Sequence, residues 1–273
     1  MTPIKYSFQK IKLALAITLS LLSFTINPTT AQTQLAESGV SIARGRVRFV
    51  QSPSNQEEPD LSDRGRPGSD SRSGGGSRDG CPDVAKPLTA LIPVNIGKTV
   101  AEYPTFWFYT PYELTPERPI EFVLQDDQGN DLYTTNKLKA LSTPPGVISL
   151  HLTSVPLEIG KNYRWYFYVY CNPKDPSEHI VVQGRIQRVA LNPNQERQLK
   201  TATLQEQAIL YGQAGIWYDA LTAVGEQLRA NPQDATIKSD WAGLLQDVDL
   251  GAIVTEPIQE LKLKIEALQP ISH

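Results

Sequence analysis

The chain has 273 residues, 26 Lys+Arg against 29 Asp+Glu, and a formal net charge of −3. That balance excludes a nucleic-acid binder, whose affinity rests on many phosphate contacts from a basic surface. Two cysteines and three histidines, none of the latter at metal-ligand spacing, leave no donor set for a structural zinc site.

The first 31 residues read as a secretory signal peptide. Lys5, Lys10 and Lys12 precede an uncharged apolar stretch over 13–24, and Thr29-Thr30-Ala31 supplies the small residues a signal peptidase reads. That core is too short to span a bilayer, which needs about 20 apolar residues. The rival is an uncleaved membrane anchor. Cleavage near Ala31 removes three lysines and no acids, leaving 23 Lys+Arg against 29 Asp+Glu in a periplasmic or extracellular chain. No later apolar run is long enough for a membrane span.

Residues 32–80 read as a disordered Ser/Gly/Arg-rich linker. Between Ser52 and Gly80, 16 of 29 residues are Ser, Gly or Pro, and Leu61 is the one strongly apolar side chain. Such a composition buries too little surface to offset its ordering entropy. Its arginines are nearly matched by acids, which argues for a solvated tether over a polyanion site. Just upstream, Arg44-Gly-Arg46-Val-Arg48-Phe49-Val50 alternates charge with apolar residues, as one short strand would.

Residues 81–190 carry a period of two, broken by Pro and Gly. The expected strands are 88–92, 98–101, 105–109, 120–125, 131–138, 147–152, 163–171 and 180–189. The turn Asp126-Asp127-Gln128-Gly129-Asn130 joins two of them as a hairpin. Short strands at this spacing predict an antiparallel β-sandwich. Behind a signal peptide, the isolated pair Cys81 and Cys171 reads as one disulfide. Two buried thiols or a redox pair are the alternatives, although a spacing of ninety lacks C-x-x-C geometry.

Residues 191–273 change to a period of 3.6, which gives an α+β protein with a small C-terminal helical bundle. Asn192-Pro193 starts a helix. Trp217, Ala220, Leu221, Val224 and Leu228 form one apolar stripe, and Ile237, Trp241, Leu244, Leu245 and Val248 form a second, capped by Asp234. A last helix is expected to open at Thr255-Glu256-Pro257 and carry Ile258, Leu261, Ile265 and Leu268.

The tests for chemistry fail. Gly97-Lys98-Thr99 has Ile92 where a phosphate loop needs its first Gly. No serine sits in a G-x-S-x-G elbow. The paired acids Asp126/Asp127 and Asp247/Asp249 fall in a turn and at a helix end, where Asp serves backbone needs. No catalytic residue, metal ligand or cofactor is therefore expected. The constellation that stands out is aromatic. Along the strand at 163–171 one face carries Tyr163, Trp165 and Phe167, and the other carries Tyr166, Tyr168 and Tyr170. If the first face is inward, the tyrosines form a surface, joined by Trp107 and Tyr109 if Phe106 and Phe108 point to the core. Such a surface can stack on sugar rings or bind a peptide. The helical region also needs an apolar surface to cover, and the expectation is that it covers this one.

Three resemblances add to this reading. Leu157-x-x-Gly160-x-x-Tyr163-x-Trp165 resembles the tyrosine corner of immunoglobulin-like and fibronectin-type domains, where the hydroxyl bonds backbone a few residues upstream. Residues 201–234 resemble one tetratricopeptide repeat through Tyr211, Gly215, Trp217, Ala220, Val224 and Pro232, with Gln207 where Leu is usual. No second repeat follows, so the implied unit is a single helical hairpin. Gly80-Cys81-Pro82, Pro104-Thr-Phe-Trp-Phe-Tyr109, Tyr163-Arg-Trp-Tyr-Phe167 and above all Gly215-Ile-Trp-Tyr-Asp-Ala220 resemble a secreted cyanobacterial family known as domain of unknown function 928. That resemblance implies export and assigns no chemistry. Together these readings describe a non-catalytic exported interaction or structural protein of the cell envelope, with an unknown protein or an envelope glycan as partner. A glycan- or peptide-binding module using the aromatic face is the second reading, and an enzyme with an unrecognised site is the third.

Overall fold

Alternating apolar residues build eight strands, and the computed structural model describes them within residues 45–51, 72–74 and 81–263. The signal peptide and most of the expected linker lie outside the described residues. The strands are β1 (Thr89–Ala90), β2 (Gly97–Thr99), β3 (Thr105–Thr110), β4 (Ile120–Gln125), β5 (Asp131–Thr134), β6 (Gly146–His151), β7 (Asn162–Tyr170) and β8 (His179–Arg188). They form a three-stranded sheet, β1-β3-β6, and a five-stranded sheet, β2-β8-β7-β4-β5. All pairings are antiparallel except β2 with β8. The β4–β5 hairpin turns on Gly129 at φ +90°, and Asp126 accepts the Asn130 N–H at 2.8 Å, as the turn chemistry predicts.

The two sheets share an aromatic core. Phe106 and Phe108 of β3 meet Phe122 of β4 and Trp165 and Phe167 of β7, with Phe108 stacked on Phe167 at 4.0 Å between ring centres. Tyr163 is buried, and its hydroxyl accepts the Glu158 N–H at 2.8 Å. Cys81 and Cys171 are disulfide-bonded with Cα atoms 5.1 Å apart, which ties the segment preceding β1 to the end of β7.

Four helices follow: α1 (Pro193–Thr201), α2 (Leu204–Gln213), α3 (Trp217–Ala230) and α4 (Ala235–Gln246). The starts of α1 and α4 are those read from the sequence at Asn192 and Asp234, and Thr203 is a cap that the reading did not name. Asn192 and Thr203 each close a capping box, and Asp234 accepts from the N–H groups of Thr236 and Ile237. α3 and α4 lie against the outer side of β3. Trp107 sits under α3, its Nε1 donating to Thr222 Oγ1 at 3.1 Å and its ring edge-on to Trp241. Position 225 must be glycine for this approach, because a Cβ there would meet the Trp107 ring at 2.6 Å. From the start of α3, Tyr218 enters the shared core and its hydroxyl receives the Trp165 Nε1–H at 2.9 Å.

Two expectations are corrected. Residues 45–51 and 72–74, read as linker, are in place on the folded unit. Val47 is fully buried, and the Gly74 N–H bonds the Leu88 carbonyl. The linker composition is diluted there by Val47, Phe49 and main-chain groups that find partners. The helix expected from Thr255 is absent among the described residues. A 3-10 turn over Gly251–Ile253 is followed by extended chain, in which the Val147 N–H bonds the Pro257 carbonyl and the Gln259 N–H bonds the Val147 carbonyl. Ile258 and Leu261 do recur at helical spacing. The open edge of β6, with unpaired main-chain groups, takes this segment in extended form instead. Ile265 and Leu268 lie outside the described residues.

Candidate functional site

Strand β7 puts alternate side chains on opposite sides of the five-stranded sheet. Tyr163, Trp165, Phe167 and Val169 are buried on the core side, and Tyr166 and Tyr168 are half-buried on the other. On that outer side Tyr166 lies opposite Val123 of β4 and Gln183 of β8. Tyr168 lies opposite Glu121 and Val181, and Tyr170 opposite His179. The three tyrosine rings run nearly parallel along the strand, Tyr166 to Tyr168 and Tyr168 to Tyr170 each 6.3 Å between centres.

One end of this ladder is polar. The Tyr170 hydroxyl donates to Glu121 Oε2 at 2.9 Å, and the Lys137 ammonium lies 4.0 Å from the Tyr170 ring centre. The His179 ring meets both Tyr168 and Tyr170, at 5.3 and 5.6 Å. Lys137 comes from the segment between the end of β5 at Thr134 and the single bridge of Leu138 with Ile120. Burial, followed by the hydrogen bond to Glu121, pushes the Tyr170 phenol well above its ordinary range. Burial is also the main cause that raises Tyr168, with smaller contributions from Tyr166 and Glu121. Both phenols therefore stay protonated at neutral pH and act as neutral ring faces with a donor hydroxyl. Tyr170 is 8% exposed and serves as the base of the cluster, while Tyr166 and Tyr168 are half-buried.

The five aromatics picked out in the sequence do not form one surface. Trp107 and Tyr109 point outward, but from β3, which belongs to the other sheet. Two sheets that share a core turn their outer sides in opposite directions. Trp107 is buried under α3 and α4, and Tyr109 is buried near the Lys86–Glu256 ion pair. The expectation that the helices cover the tyrosine face is corrected in the same way. α3 and α4 lie on the three-stranded sheet, and α3 meets the five-stranded one at its β2 edge and, through Tyr218, from the core side. The sequence reading missed Glu121, Lys137 and His179. The alternation Ile120, Phe122, Leu124 already turned Glu121 outward, whereas Lys137 and His179 needed the register.

Elsewhere, charged groups serve the fold. Asp126 is held below the usual carboxylate range by hydrogen bonds from Asn130. Asp247 accepts the Phe49 N–H at 2.9 Å and pairs with Arg48. Asp219, in the first turn of α3, accepts the Thr99 hydroxyl at 2.7 Å and the Val100 N–H at 3.1 Å, which ties α3 to the end of β2. Among the described residues no cluster of three or more His, Cys, Asp or Glu side chains has the arrangement of a metal site, and no helix is long and apolar enough to cross a membrane.

The fold and site therefore define an α+β protein of two sheets and four helices with an aromatic ladder on the outer side of its larger sheet. The family model described as Domain of Unknown Function (DUF928) matches residues 73–258, from the bridge at Ser73 to the segment that closes the β6 edge, and the chain belongs to this family. No curated protein matches the chain.

Proposed function

We propose that this is a non-catalytic, exported interaction protein of the cell envelope, and that Tyr166 and Tyr168 are its ligand surface. In this reading the two sheets are an immunoglobulin-like sandwich backed by a small C-terminal helical bundle, and the larger sheet faces the ligand. The observation that carries it is the packing of α3 and α4 against the opposite sheet, with Tyr166 and Tyr168 left half-buried on the outer side of the larger one. Phenol rings bordered by Glu121 and His179 offer what a sugar needs: apolar surface for the C–H side of the ring and polar groups for its hydroxyls. The disulfide supports an oxidising compartment. Envelope glycan is the ligand class this surface fits best.

Co-sedimentation of the purified protein with isolated envelope glycan tests the reading. The double substitution Tyr166→Ala and Tyr168→Ala should weaken binding at least about tenfold, or about 1.4 kcal/mol. Equal retention of both proteins would assign the ligand surface elsewhere. Binding of envelope polypeptides but not glycan, lost in the same variant, would make the ligand a peptide.

A further inference from the structure

Residues Gly45–Gln51 form an extended strap between α2 and α4, and the way they are held has the form of a bound ligand. Side chains alternate strictly: Val47 is fully buried and Phe49 half-buried, while Arg46, Arg48 and Val50 face solvent. The main chain makes no strand ladder. Its N–H groups at the two inward positions go to carboxylates of α4 and its C-cap, Val47 to Asp240 Oδ1 at 3.0 Å and Phe49 to Asp247 Oδ2 at 2.9 Å. The Val50 N–H then bonds the Gly212 carbonyl at 3.0 Å. The groove is shaped for main chain. A Cβ at Gly212 of α2 would meet the Arg48 carbonyl at 2.5 Å, and one at Gly243 of α4 would lie 3.3 Å from the Val47 carbonyl. Phe49 packs edge-on to Trp217 at 4.8 Å between ring centres. Charge is complementary as well, because Arg48 pairs with Asp247 at 2.6 Å.

We propose that this groove is a binding site for an extended basic peptide of the pattern aliphatic-Arg-aromatic, and that the chain's own strap is its resident, displaceable occupant. Recognition of alternate main-chain N–H groups by two carboxylates favours any extended chain, and the seats for Val47 and Phe49 supply selectivity. Twenty residues, 52–71, separate the strap from Arg72, where the chain is next fixed by the bond from Arg72 Nη1 to the Val248 carbonyl. A segment tethered this way competes at an effective concentration on the order of millimolar, so an outside peptide gains entry when it binds more tightly or when the tether is cut. This site is separate from the tyrosine face and does not depend on it.

The test uses the full chain with a protease site placed among residues 55–68, cut after folding so that nothing is removed. A fluorescent peptide of residues 45–51 should then exchange into the groove at one per chain. The uncut protein should take it with roughly 10²-fold weaker apparent affinity. A peptide carrying Val47→Asp and Phe49→Ala should bind at least tenfold more weakly, and Asp247→Asn in the protein should weaken uptake several-fold. Unfolding on cleavage would show that the strap is an integral piece of the fold and overturn the proposal. So would a folded, cut protein that takes no peptide, or one that takes both peptides equally. Exchange seen only between two full chains, as a concentration-dependent dimer, would assign the groove to a second copy and refute a heterologous partner.

Discussion

The carboxylate of Asp219 makes the docking of α3 dependent on pH. Burial is the main cause that lifts it from the ordinary 3.8 to about 6, partly opposed by the hydrogen bonds from Thr99 and Val100. Below pH 4 the group is protonated in both the folded and unfolded chain, and its contribution to stability is fully present. Between pH 4 and 6 the unfolded chain has released the proton while the folded one still holds it, so stability falls as pH rises. At about 1.4 kcal/mol per factor of ten in proton affinity the loss is about 3 kcal/mol at most, since Asp219 keeps part of its surface in water. Asp219→Asn keeps an acceptor toward Thr99 and Val100 but cannot ionise. Urea midpoints of both proteins, oxidised and measured from pH 4 to 7.5, isolate the effect. The stability difference, wild type minus variant, should drop by about 1.5–3 kcal/mol across that window. Other carboxylates cancel in the difference. Parallel pH profiles for the two proteins would refute the argument, because they would mean that Asp219 has the same proton affinity folded and unfolded.

Three further outcomes are expected. Tyr163→Phe removes the acceptor of the Glu158 N–H and should lower stability by about 1–2 kcal/mol, read from the urea midpoint. Gly225→Val gains helix propensity but drives a branched side chain into the Trp107 ring, so it should cost about 2 kcal/mol or more, with Gly225→Ala falling between the two; a melting temperature at or above wild type would contradict the packing. Reducing the bond between Cys81 and Cys171, which are separated by 90 residues, should lower stability by up to about 4–5 kcal/mol in the chain-entropy account, measured by unfolding with and without reductant.

Much of the candidate site was legible before any coordinates. The even positions of β7 read as a tyrosine face from the period of two, and the expected strands match the eight observed to within a few residues. Trp107 and Tyr109 were misassigned for a definite reason. Alternation along β3 shows that they point away from Phe106 and Phe108, but not which sheet β3 joins. The short extended segment at 45–51 was visible as alternation. Its acceptors, Asp240 and Asp247, lie nearly two hundred residues away in the chain.

What the sequence determined by itself is therefore what depends on neighbours in the chain: the strands from period two, the helix starts at Asn192 and Asp234 from side chains that satisfy orphan N–H groups, and the turn at Gly129 from its freedom at positive φ. The tertiary structure decided the pairing order, the covering of Trp107 by α3 and α4, and the exposure left to Tyr166 and Tyr168. It also turned Ile258 and Leu261 from a helical stripe into the extended chain that closes the edge of β6. The physical reason is one of range. Periodicity states that a residue has a buried side, whereas the identity of the surface that buries it depends on contacts between segments far apart in the chain, and there the edge with unpaired main-chain groups or the uncovered aromatic ring prevails over local preference.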